Sequence, residues 1–164
     1  MTIEADDLEV LQVLRQRRPG WWFSHGGPSP NYWHAQRRGL RRQRALVTTV
    51  EAASAAELEL LLDEVEDLDG RQAVRELVAE IRERGAYARK TGMVALVRWL
   101  DSPAEGYVPV DHYVEVESGE FRWREVPSGE AGPVDPVIGP IGEIPAAAER
   151  VVAVVRAVAQ AGAW

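Results

Sequence analysis

Three histidines, His25, His34 and His112, are the side chains of this sequence best suited to move a proton or hold a metal near neutral pH. His25 and His34 flank the loop Gly26-Gly27-Pro28-Ser29-Pro30, so a hairpin would bring them together. Two imidazoles do not complete a zinc site, however, and no acid lies between them. Ser24-His25 has no nucleophile elbow and no third partner, which argues against a serine hydrolase. Counting back from a turn at Ser118-Gly119 sets His112 opposite Glu125, where a hydrogen-bonded polar pair is the plainer reading than an acid/base pair. Gly139-Pro140-Ile141-Gly142 is too short and rigid to cradle a phosphate. The absence of cysteine removes disulfides, thiolate metal sites and thiol nucleophiles together. The expectation is no catalytic residue, no metal and no cofactor.

Charge and aromatic character are more informative. From Gly20 to Val50 there is no acid, while two aromatic clusters, Trp21 with Trp22 and Tyr32 with Trp33, precede Arg37, Arg38, Arg41, Arg42 and Arg44. Guanidinium groups neutralise phosphates and aromatic faces stack bases, so this basic-aromatic segment admits a nucleic-acid reading. It equally admits a solvated turn paired with acids elsewhere in the chain, or a protein contact. Trp21 and Trp22 are adjacent in a strand, so one must face away from whatever the other buries, and an outward tryptophan beside arginine is the composition of an interface hot spot. The opposite charge collects at Asp63, Glu64, Glu66, Asp67 and Asp69. If a helix ends at Gly70, these acids oppose its dipole and need a basic partner, internal or external. Aligned as a calcium loop, Asp67, Asp69, Gly70 and Glu76 fall on ligand and turn positions, but Val65 stands where the first ligand belongs.

The elements that must carry these residues follow from periodicity. Leu8, Val10, Leu11 and Leu14 stripe a helix over 3–18, with acids in its first turn and arginines in its last, and Pro19-Gly20 stops it. Strands are expected at 21–25, 31–38 and 45–51. Ser54 and Glu57 form a capping box ahead of Leu58, Leu61, Leu62, Val65 and Leu68, a helix that Gly70 is expected to break. Val74, Leu77, Val78 and Ile81 begin a separate helix that ends at Gly85. Strands follow at 93–100 and 107–117, the second alternating Val108, Val110, His112, Val114 and Val116 with polar residues. The Ser118-Gly119 turn then pairs Val116 with Phe121, Glu115 with Arg122 and Val114 with Trp123. Residues 127–142, rich in proline and glycine, read as an irregular loop. Pro145 starts a last helix burying Val151, Val152, Val155 and Val158.

The expected fold is therefore α+β: two αβββα halves, 1–70 and 71–164, each laying helices on an antiparallel meander. Whether the six strands make one sheet or two is left open. With 164 residues, 46% hydrophobic and 27% charged, the chain is long enough to bury a core. It has neither an apolar run of membrane-spanning length nor a secretory leader, which suggests a cytoplasmic protein that does not enter membranes. Residues 1–50 hold eight arginines against four acids, and residues 51–164 eleven bases against 22 acids, so net charges of +4 and -11 face each other along the sequence.

The segment from Trp21 to Leu62, with Tyr32-Trp33, Arg37 and the run Ser54-Ala-Ala-Glu57-Leu58, resembles a strand-strand-strand-helix unit of small actinomycete proteins of unknown function. Ala73 to Val158, with Phe121, Trp123 and Gly139-Pro-Ile-Gly142, resembles a second domain of that kind. Glu57-Leu58, Leu61-Leu62, Ile144-Pro145 and Trp164 give a looser similarity to acidic bacterial toxin-immunity proteins, and the topology is similar to that of type III secretion chaperones. The acids at 63–69, the 22 acids after residue 50 and the lack of any catalytic set point to a cytosolic, non-enzymatic protein-binding module, of the immunity, chaperone or adaptor kind, that presents an acidic face to a basic partner. The alternative is nucleic-acid binding through Trp33 to Arg44.

Overall fold

The structure is a computed structural model that describes residues 5–27, 32–38, 47–102, 106–128 and 133–161. Arg41, Arg42 and Arg44 lie outside the described residues. The elements in chain order are α1 (Ala5–Arg17), β1 (Trp21–His25), β2 (Trp33–Arg37), β3 (Thr49–Ala52), α2 (Ala55–Glu83), β4 (Tyr87–Thr91), β5 (Val94–Arg98), β6 (His112–Glu117), β7 (Glu120–Trp123), β8 (Val137–Pro140) and α3 (Ile144–Ala161). The strands form two antiparallel sheets, β1-β2-β3 and β4-β5-β6-β7-β8. The fold is α+β, with three helices among the described residues, and the chain divides into two compact units, Met1–Asp69 and Gly70–Trp164. No helix among the described residues is long and apolar enough to cross a membrane.

In the first unit, strand alternation sends Trp21, Phe23, Trp33, Ala35, Val50 and Ala52 to one face of the sheet. There they pack with Leu11 and Leu14 of α1 and Leu58, Leu62 and Val65 of α2. Leu8 and Val10, expected in the α1 stripe, are exposed. The capping box ahead of α2 is present in a widened form: Ser54 Oγ accepts from the Glu57 amide, and Glu57 Oε2 accepts from the Ala53 amide at 2.8 Å.

Two expected helices are one. α2 runs unbroken for 29 residues through Gly70, so the second half is not αβββα. A helical glycine costs only about 1 kcal/mol relative to alanine, which the packing of both units on α2 outweighs. A Cβ at Gly70 would lie 2.8 Å from Met93 Cε, the far end of a flexible side chain, and 3.5 Å from Val116 Cγ1. α2 ends where glycine is needed for its left-handed backbone. Gly85 has φ 85°, and the amides of Gly85 and Ala86 return to the carbonyls of Arg82 and Ile81.

The second sheet has five strands where three were expected. β4 has no clear sequence signal because Tyr-Ala-Arg-Lys-Thr carries little apolar alternation, and β8 has none because it is four residues inside the proline- and glycine-rich loop. The stretch 107–111 alternates like a strand yet lies outside β6, leaving Val108 and Val110 exposed. The β6-β7 hairpin has the expected register, Val114 with Trp123, Glu115 with Arg122 and Val116 with Phe121. Ser118 and Gly119 both take positive φ (53° and 77°), as a tight two-residue turn requires. One face of this sheet, with Ala88, Ala95, Val97, Val114, Phe121 and Ile138, packs on α2 and α3. Val158 is only half-buried, and Ala159 takes the inner place on α3.

Candidate functional site, the outward face of the three-stranded sheet

The same alternation that buries Trp21, Phe23, Trp33 and Ala35 turns Trp22, Ser24, His34 and Gln36 outward. The basic-aromatic segment is thereby sorted into two sets. On the inner side Trp21 is 3% exposed, and the Arg37 guanidinium lies 4.5 Å from its ring centroid. Arg37 pairs with Asp69 of α2 and donates Nε to the Val47 carbonyl, and both charged side chains are nearly enclosed. Trp33 is buried with the His25 ring stacked at 4.3 Å, and His25 Nδ1 is 3.4 Å from Asp7. These groups hold the unit together.

The outer set faces water. Trp22 is 59% exposed, with the Arg38 guanidinium 3.9 Å from its ring centroid. The registers place Trp22, Gln36 and Thr49 in one cross-strand row and Ser24, His34 and Glu51 in the next. Ser24 Oγ lies 3.4 Å from His34 Nδ1, and Tyr32 stacks on the His34 ring at 6.3 Å. A hydrogen bond from Tyr32 to the Glu51 carboxylate, helped by burial and by that negative charge, raises the phenol above its ordinary range. The pairing of His34 with Ser24 and Glu51 could not be read from the sequence, because it depends on a register that brings residues 24, 34 and 51 abreast.

A hydroxyl, an imidazole and a carboxylate in one row invite a catalytic reading, but their surroundings weigh against it. Ser24 and Glu51 are exposed and His34 is half-buried, so water reaches the row, whereas electrostatic catalysis works best from an enclosed, preorganised site. The Glu51 carboxylate is engaged by Tyr32. What the face carries is a stacked indole-guanidinium pair set among hydroxyl, amide and carboxylate groups.

The acids at 63–69 are placed differently from expectation. They lie in the interior of α2 rather than at its C-terminus, so the helix dipole does not oppose them. Arg18, the residue after α1, pairs with both Asp63 and Glu66, and Asp69 pairs with Arg37. Burial acts to lower the Arg18 pKa, but its bonds to those two carboxylates outweigh it and the pKa is raised. Glu64 and Asp67 are exposed on the helix. Residues 65–76 are helical throughout, so no calcium loop forms. Among the described residues no group of three or more His, Cys, Asp or Glu could hold a metal ion.

Among the described residues His112 is the one buried polar side chain, packed edge-on to Trp123 at 6.2 Å. It pairs in register with Val97, and Glu125 lies exposed beyond the end of β7, so the expected His112-Glu125 pair does not form. Burial lowers the His112 pKa, partly offset by the charge of Asp111.

Comparison with known proteins finds no matching family model, no matching curated protein and no matching solved structure.

Proposed function

We propose that this chain is a non-enzymatic, cytoplasmic protein-binding module, of the immunity, chaperone or adaptor kind, that engages a basic partner. The observation that carries the reading is Trp22, 59% exposed on the outward face of the sheet with Arg38 stacked on it. A large aromatic left in water beside an arginine is the composition of an interface hot spot. Charge favours a basic partner. Met1–Asp69 holds eight arginines against twelve acids and Gly70–Trp164 eleven bases against fourteen, so both units are acidic, at -4 and -3. The contact surface in this proposal is the outward face of the three-stranded sheet, because three of the five acids at 63–69 are already tied to Arg18 and Arg37. Co-purification from the native host tests it. A stoichiometric partner should accompany the wild-type chain and be lost with Trp22→Ala, and recovery of the wild-type chain alone would refute the reading.

The Trp22-Arg38 pair also suits stacking of a single-stranded nucleobase on an open sheet, which is the second reading. Glu51 on that face and the unit's net negative charge work against a polyanion. A salt-dependent gel shift that disappears with Arg38→Glu would favour it over the first.

A further inference from the structure

The two sheets have four edge strands, β1 and β3 in one, β4 and β8 in the other. An edge strand offers unpaired N–H and C=O groups, and proteins usually block them. Three of the four are blocked here by the same means. Arg15 of α1 donates to the Phe23 carbonyl of β1, Arg82 of α2 to the Ala88 carbonyl of β4, and Arg150 of α3 to the Ile138 carbonyl of β8. The hydrogen-bond phase confirms the direction for β1. The Gly20-Arg38 and Gly26-Tyr32 bonds to the β2 side put residues 20, 22, 24 and 26 in phase with β2, so Phe23 points away. β4 is also guarded by Arg89 and Lys90, and β8 ends at Pro140.

β3 is the exception. The bond from the Arg37 amide to the Thr48 carbonyl fixes its phase, so residues 48, 50 and 52 bond to β2 while Thr49 and Glu51 direct their amides and carbonyls outward. Among the described residues no side chain donates to those carbonyls, and Thr48, Thr49 and Glu51 are all exposed. We infer that β3 is a docking edge that accepts an extended segment of a partner protein as a fourth strand, a mode in which main-chain bonds give affinity and alternate side chains give specificity.

The chemistry of β3 defines the segment. Val50 and Ala52 face the core and Thr49 and Glu51 face water, so an added strand would place apolar residues on the inner side. On the outer side a basic residue beside Glu51 forms a favourable cross-strand pair. The occupant is therefore a strand that alternates apolar with Arg or Lys. This rests on the protein-binding reading and identifies the kind of partner.

The probe is a synthetic nine-residue peptide alternating valine with arginine and lysine, with amide hydrogen exchange of the full chain followed by NMR. Saturating peptide should slow exchange at the Thr49 and Glu51 amides by roughly tenfold or more. A valine-glutamate peptide, and the basic peptide N-methylated at alternate residues, should not. Glu51→Pro removes an outward amide that β2 does not use, so it should keep the β2 ladder and lose the effect at Thr49, where it is then read. No protection at Thr49 and Glu51, equal protection by the acidic peptide, or protection at β1, β4 or β8 instead would overturn the inference. So would protection that grows with protein concentration alone, which would assign the edge to a second copy. If the peptide fails while the native partner is still lost with Trp22→Ala, the docking edge is wrong and the protein-binding reading stands.

Discussion

The two units carry nearly the same charge and spend it differently. In Met1–Asp69 arginines reach between segments distant in sequence: Arg18, just past the end of α1, binds Asp63 and Glu66 of α2, and Arg37 of β2 binds Asp69 of α2. In Gly70–Trp164 the pairs Arg122-Glu117 and Arg124-Glu115 run between neighbouring strands on the solvent side of a sheet. The cores differ as well. Among the described residues, eleven buried ones centred on Trp21, Phe23 and Trp33 form the core of the first unit and eighteen, mostly alanine and valine, that of the second. A formal charge count shows neither fact; what decides is whether a pair joins separate elements out of water.

The largest test of that contrast is Phe121→Ala, which empties the centre of the larger core. It should cost about 3–5 kcal/mol, read as a shifted denaturation midpoint, with protection lost first at β5, β6 and β7 amides. Next is Asp69→Ala, which strands the enclosed Arg37 guanidinium and should cost about 3 kcal/mol. Its counterpart Glu117→Ala removes a partner from an exposed pair and should cost less than about 1 kcal/mol. Equal losses for these two would erase the distinction between the units. Gly70→Ala should change stability by no more than about 1 kcal/mol, because the gain in helix propensity is set against a shift of the flexible Met93 tip.

A final test concerns pH and the second unit alone. Since burial lowers the folded-state pKa of His112, the unfolded chain binds its proton first. Stability is then greatest above the ordinary histidine pKa of about 6.5 and declines as pH falls from there through the lowered folded value. Asp111, held below its ordinary range by the hydrogen bond from Arg98, adds a separate loss at still lower pH, below the carboxylate range. Urea midpoints at neutral and mildly acidic pH should converge in His112→Gln, and an unchanged slope in that variant would exclude His112 as the source.

Much of the architecture was legible because it rests on local pattern. The β6-β7 register follows from alternation plus a turn that only small residues accept, and Trp22 had to oppose Trp21 because strand side chains alternate. The misreadings share a cause. Gly70 looks like a stop when only propensity is considered, but packing overrides about 1 kcal/mol. β4 and β8 hold too few apolar residues to signal themselves, and they form because neighbouring strands supply the ladder. The site was the least legible part. Arg18 meets Asp63 across 45 residues and Arg37 meets Asp69 across 32, distances over which sequence spacing carries no geometry. The +4 and -11 segments of the sequence therefore do not correspond to two oppositely charged units.

The continuity of α2 bears on how this protein can be dissected. Severing the chain between Asp69 and Gly70 would cut through helical backbone, exposing four carbonyls on one fragment and four amides on the other that had been paired within the helix. Either fragment made alone begins or ends in a frayed half-helix, so expression boundaries for isolating one unit should retain all of 55–83, and a protease that nicks near 70 would release two damaged pieces rather than two intact ones.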